Sequence, residues 1–353
     1  MKVIFIPDYS KGNPYQKALT DALSKYDVSV NFGNIVGTFK MPREFWGWRK
    51  ADVLHLHWQH PFLLAHSRMK TILRAVFFIT GLLLLKVFRV RVVWTVHNIT
   101  SHDTRFRSFE LFFCKLLAKL CNRIITHGPS ARQAVINEYK LTNNSKVVVI
   151  PHGNYIGCYK NSIGQKQARK QLGLENKDLI FLYFGQIRPY KGIIELIEAF
   201  GGLGTSNEKL LVVGQPQNSE AARTLAQKYE ANHKIGMIFD FVPDDDIQIY
   251  MNATDVIVLP YKDILTSGTA LLAISFGKPV IAPATGCIPD VLDAEGSFLY
   301  DPSDKEGLLK AMQLASGADL KEMGKHNLQL AKKYNWGDIA KKTSAVYKEC
   351  SGD

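Results

Sequence analysis

The sequence predicts an α/β protein built from two doubly wound domains. Short apolar runs rich in β-branched residues alternate with longer segments of helical periodicity, and this alternation occurs in two series along the 353 residues. Near-continuous apolar strands separated by helices indicate parallel sheets that are covered on both faces. The length also accommodates about two domains with full hydrophobic cores. We therefore expect two Rossmann-like domains.

The predicted strands lie on both sides of a polar segment at Pro151–Tyr155. The first series is Val3–Ile6, Val28–Phe32, Val53–Trp58, Val90–Val96, Arg123–Thr126 and Lys146–Ile150. The second series is Leu179–Phe184, Leu210–Val213, Met237–Phe241, Val256–Leu259 and Pro279–Ala282. The domains are accordingly expected at 1–153 and 154–334, and a helical pattern at about 335–350 is expected to pack back onto the first domain.

The chain is basic, with a formal net charge of +12 that is unevenly distributed. Residues 1–150 contain 22 basic and 8 acidic side chains, whereas the remainder contains 22 and 24. This asymmetry indicates that the first half meets something anionic, although a basic solvated face is the alternative. The composition excludes a disordered chain, a collagen-like repeat and a disulfide-rich miniprotein.

Five scattered cysteines without a Cys-x-x-Cys pair indicate reduced thiols in a cytosolic protein. The first predicted strand begins two residues after Met1, and the long apolar core and small-residue cleavage site of a signal peptide are not present. We therefore expect a cytoplasmic protein.

Two segments of the basic half mix apolar and cationic side chains. Residues 75–85 form the longest apolar stretch, which has Lys and Arg on both sides and is too short to span a membrane. Arg105–Lys119 interleaves Phe and Leu with Lys and Arg. The mixture predicts peripheral binding to an anionic membrane surface, with an ordinary buried helix as the alternative. No nucleic-acid partner is expected, because the sequence carries no helix-turn-helix, zinc-finger or RNA-binding sheet signature.

A strand and a helix in the second half frame a pattern suited to a diphosphate. The strand is followed by Gly185 and Gln186, and Arg188 and Lys191 come directly before the helix. A helix N-terminus supplies N–H groups and a positive dipole, and the two cations add charge-assisted hydrogen bonds. A solvated turn with two basic residues is the alternative for this motif alone.

A second helix start lies at Ser267, Gly268 and Thr269, just after the strand Val256–Leu259. Backbone N–H groups and two hydroxyls gather there. Two phosphate-binding helix starts in one α/β domain predict a bound nucleotide diphosphate.

These elements resemble the group 1 family of GT-B glycosyltransferases over essentially the whole chain. The supporting motifs are Gly-x-x-Arg-x-x-Lys-Gly, Ser-Gly-Thr followed by Phe-Gly-Lys-Pro-Val-Ile-Ala, and Val-Ile-Pro-His-Gly between the domains. The resemblance implies the GT-B fold, with two Rossmann-like domains facing a central cleft. It also implies a nucleotide-sugar co-substrate on the second domain, an acceptor on the first, and no metal or other cofactor.

By this resemblance, Arg188 and Lys191 hold the donor diphosphate and stabilise negative charge on the departing nucleotide. Many members of the family also carry two glutamates eight residues apart around the Ser-Gly-Thr step, one of which binds the ribose. Here the corresponding positions fall near Ile264 and Leu272. Ribose contacts must come from elsewhere, with Asp263 as the candidate, and a retaining stereochemical course does not carry over.

A further motif, Thr-Val-His-Asn followed by His-Asp, resembles a subgroup of bacterial exopolysaccharide transferases, some of them β-mannosyltransferases. The resemblance places His97 beside the transferred sugar, with a packed or capping histidine as the alternative. Asp103 is the candidate general base of an inverting reaction, and an N-cap of the following helix is an equal alternative.

Gly12, Asn13 and His57 are expected on the acceptor side of the first domain. His55 and His57 alternate onto one face of a strand that has no acidic or Cys ligand nearby, so no metal site is expected there.

The predicted function is sugar transfer from a nucleotide-diphosphate sugar to a polyprenyl-diphosphate-linked acceptor, in exopolysaccharide or cell-surface glycan synthesis. The subgroup resemblance makes GDP-mannose the expected donor and a UDP-sugar the next candidate. The enzyme is expected in the cytoplasm, peripheral on the inner face of the plasma membrane. A GT-B-like sugar-nucleotide epimerase and a non-enzymatic membrane-surface binding module are the alternatives.

Overall fold

The computed structural model describes residues 1–12, 14–34, 41–101, 106–204 and 207–351. The chain forms two compact units, each with a six-stranded parallel sheet. Unit 1 combines Met1–Gly153 with the C-terminal segment Tyr334–Asp353, and unit 2 is Asn154–Lys333. The α/β fold class predicted from the apolar runs is confirmed in both units.

Unit 1 is a parallel sheet with helices in its connections. Its strands are β1 (Lys2–Ile6), β2 (Ser29–Phe32), β3 (Val53–Leu56), β4 (Arg91–Thr95), β5 (Arg123–Thr126) and β6 (Val147–Val149). The helices between them are α1 (Pro14–Leu23), α2 (Met41–Trp48), α3 (His60–Leu63), α4 (Arg68–Val87), α5 (Arg107–Leu120) and α6 (Pro129–Tyr139). The strand order is β2-β1-β3-β4-β5-β6, and every neighbouring pair is parallel.

Unit 2 repeats this plan. Its strands are β7 (Leu179–Phe184), β8 (Glu208–Val213), β9 (Ile235–Ile238), β10 (Val256–Val258), β11 (Val280–Pro283) and β12 (Ser297–Tyr300). Its helices are α7 (Gln165–Gln171), α8 (Ile193–Gly201), α9 (Ser219–Tyr229), α10 (Ile247–Ala253), α11 (Gly268–Ser275), α12 (Ile288–Val291), α13 (Gly307–Ser316) and α14 (Leu320–Lys332). The strand order is β12-β11-β10-β7-β8-β9, again all parallel.

The last helix, α15 (Trp336–Ser351), belongs to the core of unit 1. Ile339 and Tyr347 on this helix join the same buried cluster as Leu19 of α1. The Tyr347 hydroxyl also lies 2.6 Å from Nδ1 of His55 on β3. Because both the apolar surface and this hydroxyl are buried, α15 is an integral layer of unit 1.

The predicted strands differ from the structure mainly at the edges of the sheet in unit 2. β12 has no predicted counterpart, because Ser297 is its buried residue and its apolar side chains are only partly covered. β9 ends at Ile238, whereas the prediction placed this strand at Met237–Phe241, and Phe241 is exposed. Edge strands bury less apolar surface than central ones, so their hydrophobic pattern is weaker.

Histidines follow four neighbouring strands of unit 1. His57, His97, His127 and His152 lie within three residues of the ends of β3, β4, β5 and β6. Burial lowers the pKa of His127 to about 4 and, with a smaller contribution from His127, the pKa of His152 to about 3. Burial likewise lowers the pKa of His55, on β3, to about 3 and holds the pKa values of His57 and His97 well below the usual range.

We expect unit 1 to lose stability as the pH falls from about 7 towards about 4. In the unfolded chain these histidines bind a proton near pH 6.5, whereas the folded unit keeps them neutral to a much lower pH. The unfolded state therefore binds more protons across this pH window, so the free energy of unfolding rises with pH. The contribution of the neutral histidines is fully present above about pH 6.5. Each buried histidine contributes up to about 1.4 kcal/mol per pH unit.

Urea unfolding followed by tryptophan fluorescence measures this effect, because all five tryptophans of the chain belong to unit 1. The urea concentration at the unfolding midpoint should be lower at about pH 5.5 than at about pH 7.5. His57→Phe, which removes one buried ionisable ring, should weaken the pH dependence. His66→Gln at an exposed position is the control and should leave it unchanged. The same midpoint at both pH values would contradict the expectation.

Candidate active site

Two loops of unit 2 meet at the carboxyl ends of the neighbouring strands β7 and β10. The β7 loop (residues 185–192) leads into α8, and the β10 loop (residues 259–267) leads into α11. The backbone N–H of Lys262 donates a hydrogen bond of 2.9 Å to the carbonyl oxygen of Tyr190. The structure thus brings together the two segments that the sequence singles out for a diphosphate.

Glycines allow the loops of this site to approach closely. Gly192 has φ 72°, and a Cβ there would lie 1.9 Å from the carbonyl oxygen of Pro260. Gly214, after β8, has φ 149°, and a Cβ there would lie 1.9 Å from the carbonyl oxygen of Gly185. Only glycine adopts these backbone angles without strain and leaves room for the neighbouring carbonyl oxygen. Gly192 therefore allows the β7 and β10 loops to approach, and Gly214 allows the chain after β8 to approach the β7 loop.

Lys191 is linked to the N-terminus of α11 through aromatic and hydroxyl groups. Its Nζ lies 4.1 Å from the centroid of the Tyr261 ring, a cation–π geometry. The Tyr261 hydroxyl is 3.0 Å from Oγ of Ser267, which accepts a hydrogen bond from the backbone N–H of Ala270 and caps α11. The ammonium group and the positive end of the helix dipole therefore act in the same region.

Arg188 stands at the start of the 3₁₀ turn Pro189–Lys191 and lines a cavity of about 810 Å³. Lys262 and Glu195 also line it and form an ion pair of 2.5 Å with each other. In the described part of the chain, neither Arg188 nor Lys191 has a carboxylate within ion-pair distance. Two cations without a carboxylate partner remain available to an anionic ligand.

The other predicted donor-binding residues surround these loops. Thr269 Oγ1 lies 3.6 Å from the position that a Cβ of Gly185 would take, so these two residues are neighbours. Gln186 and Asp263 are exposed, and Gly268, the first residue of α11, is partly buried.

The two positions where related enzymes carry glutamates are apolar core in this chain. Ile264 and Leu272 are both buried, and Leu272 lies within the largely buried helix α11. In the surroundings that these residues have here, a carboxylate at either position would lose most of its hydration. Asp263, directly before Ile264, is the nearest acidic side chain in the sequence.

In unit 1, the strand-end histidines form a continuous cluster. The ring of His97 stacks on that of Trp58, with centroids 4.5 Å apart and planes 10° from parallel. Nδ1 of His97 is 3.3 Å from Nε2 of His127, and Nδ1 of His127 is 3.0 Å from the carbonyl oxygen of Ile150. The stacking on Trp58 and the hydrogen bond with His127 therefore both hold the imidazole of His97.

Tyr15 of α1 joins this cluster and was not among the predicted site residues. Its ring centroid lies 4.7 Å from His152, 5.2 Å from His97 and 5.5 Å from Trp336 of α15. His127 and His152 were also not among the predicted site residues. The position of a histidine just after each of four neighbouring strands is the signal that identifies them, because parallel strands end at the same edge of a sheet.

The predicted acceptor-side residues occupy different surroundings. Gly12 is exposed, whereas His57 is fully buried and its ring nitrogens have no hydrogen-bond partner among the described residues. Asn13 and Asp103 lie outside the described residues. Just before Asp103, Ser101 donates hydrogen bonds of 2.8 and 2.7 Å to Glu110, from its backbone N–H and its hydroxyl. Among the described residues, no group of three or more His, Cys, Asp or Glu side chains is arranged to hold a metal ion.

The apolar stretch at residues 75–85 lies within α4, and one side of it is ordinary core. Phe78, Leu82 and Leu85 are completely buried. A second set of apolar residues on α4 instead faces outward, and the set consists of Met69, Leu73, Val76, Leu83 and Val87. Their spacing of three, four and seven residues places them on one side of the helix, which we name the α4 stripe.

The α4 stripe is long, exposed and accompanied by cations. Its end residues, Met69 and Val87, are 66% and 77% exposed, and the 20-residue helix is about 30 Å long. Lys70 and Lys86 flank it, and α4 contains no acidic residue. Phe112 on the neighbouring helix α5 is also 62% exposed. Within the described ranges, no helix is both long and apolar enough to cross a bilayer.

Residues 164–327, which lie within unit 2, match the family described as glycosyl transferases, group 1. The GDP-mannose:glycolipid 4-beta-D-mannosyltransferase of Xanthomonas campestris pv. campestris is 28% identical over 304 residues, covering 85% of this chain and 79% of that protein. The lipopolysaccharide 1,2-N-acetylglucosaminetransferase of Salmonella typhimurium is 32% identical over 213 residues, covering 56% of this chain and 55% of that protein.

Solved structures share the fold over the whole chain. Sucrose-phosphate synthase from Thermosynechococcus elongatus has a TM-score of 0.79 at 18% identity, covering 99% of this chain and 98% of that one. Anabaena HepE, solved in complex with UDP and glucose, has a TM-score of 0.75 at 17% identity, covering 99% and 100%. The family match over residues 164–327, the relatives and these structures confirm the resemblance seen in the motifs: unit 2 contains a group 1 glycosyl transferase domain, and the chain has the GT-B fold of glycosyltransferases.

Proposed function

We propose that this enzyme transfers mannose from GDP-mannose to a polyprenyl-diphosphate-linked glycan, in exopolysaccharide or cell-surface glycan synthesis. The donor and the lipid-linked class of acceptor are supported by the mannosyltransferase relative, which is named for GDP-mannose and a glycolipid. A UDP-sugar is the second candidate donor, because HepE was solved with UDP and glucose. The observation that carries the proposal is the pair of cations, Arg188 and Lys191, beside the convergent β7 and β10 loops.

In the proposed reaction, Arg188 and Lys191 bind the diphosphate of the donor. The bond between the sugar C1 and the diphosphate oxygen breaks, and the electron pair stays on the departing GDP. Negative charge on the diphosphate therefore increases in the transition state, where the two cations and the N-terminus of α11 stabilise it more strongly than in the ground state. These groups supply the positive charge, so the proposal includes no metal or other cofactor.

An acceptor hydroxyl forms the new bond to C1 and gives its proton to a general base. Asp103 is the candidate base of this inverting reaction, and His97 is the candidate contact to the transferred sugar.

Removing either cation should abolish most of the transfer activity. We expect Arg188→Ala and Lys191→Ala each to lower kcat/KM by about 100-fold or more, since each loses a charge that acts on the departing diphosphate. The measurement is GDP release from GDP-mannose, started by adding the lipid-linked acceptor.

Lys228→Ala is the matched control for these variants. Lys228 is an exposed lysine of unit 2 that also lies over a tyrosine ring, 5.3 Å from the centroid of Tyr229. Its loss should leave kcat/KM near the wild-type value. Retained transfer in both cation variants would contradict the assignment of Arg188 and Lys191 to the donor diphosphate. Conversion of GDP-mannose to another nucleotide sugar without acceptor would favour the epimerase alternative.

The proposal also places unit 1 against an anionic membrane, on the inner face of the plasma membrane. The α4 stripe supplies apolar side chains of the kind that enter the lipid interface, and the lysines beside it supply charge complementary to anionic headgroups. At that surface the enzyme would bind a lipid-linked acceptor whose lipid is in the membrane. Lys115 and Lys119 on α5 add to the positive charge of the same unit.

Vesicle sedimentation tests this placement. The wild-type protein should sediment with vesicles of phosphatidylglycerol and phosphatidylcholine at low salt, and less so as salt is raised. The triple variant Leu73→Ser, Val76→Ser, Leu83→Ser should lose most of the binding, because it removes apolar surface that is already exposed in the folded protein. Leu314→Ser, at an exposed leucine of unit 2, should bind as the wild type does. Unchanged binding by the triple variant would contradict the proposed surface.

A further inference from the structure

The hydrogen bonds around His127 determine which nitrogen of His97 carries a proton. Nδ1 of His127 lies 3.0 Å from the carbonyl oxygen of Ile150, and a carbonyl oxygen can only accept a hydrogen bond. Nδ1 of His127 is therefore the protonated nitrogen. The sheet fixes the position of this carbonyl, because the backbone N–H of Ile150 donates to the carbonyl oxygen of Thr126, the residue before His127.

The second nitrogen of His127 then acts as an acceptor. Burial lowers the pKa of His127 to about 4, so the ring is neutral near pH 7 and its Nε2 keeps a lone pair. Nε2 lies 3.3 Å from Nδ1 of His97. For this contact to be a hydrogen bond, Nδ1 of His97 must carry the hydrogen and donate it.

We infer that His127 is a positioning residue that holds His97 in the tautomer with a hydrogen on Nδ1 and a lone pair on Nε2. His97 then presents an acceptor, and not an N–H donor, to a hydroxyl group of the sugar or of the acceptor. The stacking on Trp58 fixes the plane of the ring, so the lone pair also has a fixed direction. The part that concerns catalysis rests on the proposed function, whereas the tautomer does not.

The described ionisable side chains around His97 are neutral near pH 7. The ionisable side chains that face it belong to α1 and to the strands and strand ends of unit 1, namely Tyr15, His55, His57, His127 and His152. Burial raises the pKa of Tyr15 above its usual range and lowers those of the histidines, so this shell is neutral near pH 7. Within this shell, the hydrogen bond with Nε2 of His127 acts directly on the His97 proton.

Two amide variants separate positioning from packing. In His127→Asn, the side-chain amide can still donate to the carbonyl of Ile150 but is too short to reach His97. In His127→Gln, the longer side chain can bring an amide oxygen to the Nδ1–H of His97. We expect kcat to fall by about tenfold or more in His127→Asn, with an unchanged KM for the donor, and to recover largely in His127→Gln.

Nitrogen NMR of imidazole-labelled histidine reads the tautomer directly, with the His97 signals assigned from a His97→Gln sample. The wild type should show a protonated Nδ1 and an unprotonated Nε2 on His97, and His127→Asn should show a mixture of tautomers. A protonated Nε2 on His97 of the wild type would overturn the inference. Equal kcat losses in the Asn and Gln variants with an unchanged tautomer would also overturn it, by assigning His127 a purely structural role.

This design distinguishes the inference from the proposed function. If the wild type shows the expected tautomer but no transfer from GDP-mannose, the inference stands and the donor assignment fails. If transfer occurs and His97 carries its hydrogen on Nε2, the proposed function stands and the inference fails. The wild-type spectrum needs no variant, so a misfolded variant would not prevent the test.

Discussion

The parallel pairing of the strands is the constraint on which both candidate sites depend. In a parallel sheet all carboxyl ends lie at one edge, so the residues that follow separate strands gather there even when they are far apart in sequence. In unit 1 this edge collects His57, His97, His127 and His152. In unit 2 it collects the β7 and β10 loops. The chemistry in each unit is therefore set by short segments after the strands.

The two edges provide opposite electrostatic environments. In unit 1, burial keeps the histidines neutral, so hydrogen-bond direction and ring stacking determine what the site can do. In unit 2, Arg188 and Lys191 have no carboxylate partner among the described residues, and they lie at loops whose spacing depends on Gly192 and Gly214. A neutral edge suits hydroxyl groups, and a cationic edge suits a diphosphate. This division matches the acceptor and donor roles proposed for the units.

The sequence predicts most of this fold because central strands are continuous apolar runs. Among the strands that the structure describes, β12 alone has no predicted counterpart, since its pattern is diluted by partial exposure at the edge. The donor loops are predictable from Gly, Arg and Lys at a helix start. The strand-end positions of His127 and His152 are also visible in the sequence, but their contacts with Tyr15 are not, because these arise only when α1, β5, β6 and α15 pack together. Which apolar residues of α4 form the exposed α4 stripe likewise cannot be predicted from the sequence, because it depends on which side of the helix packs against the core.

Nucleotide binding to the purified protein tests the central claim most directly, since it needs no acceptor. In a thermal-shift panel of nucleoside diphosphates, GDP should stabilise the protein more than UDP does at the same concentration. At 100 times its dissociation constant, GDP should stabilise the folded protein by about 2.7 kcal/mol. Lys191→Ala should lose most of this stabilisation, and Lys228→Ala should retain it. If no nucleoside diphosphate stabilises the protein, or if Lys191→Ala responds to GDP as strongly as the wild type, the diphosphate site assigned to unit 2 is wrong.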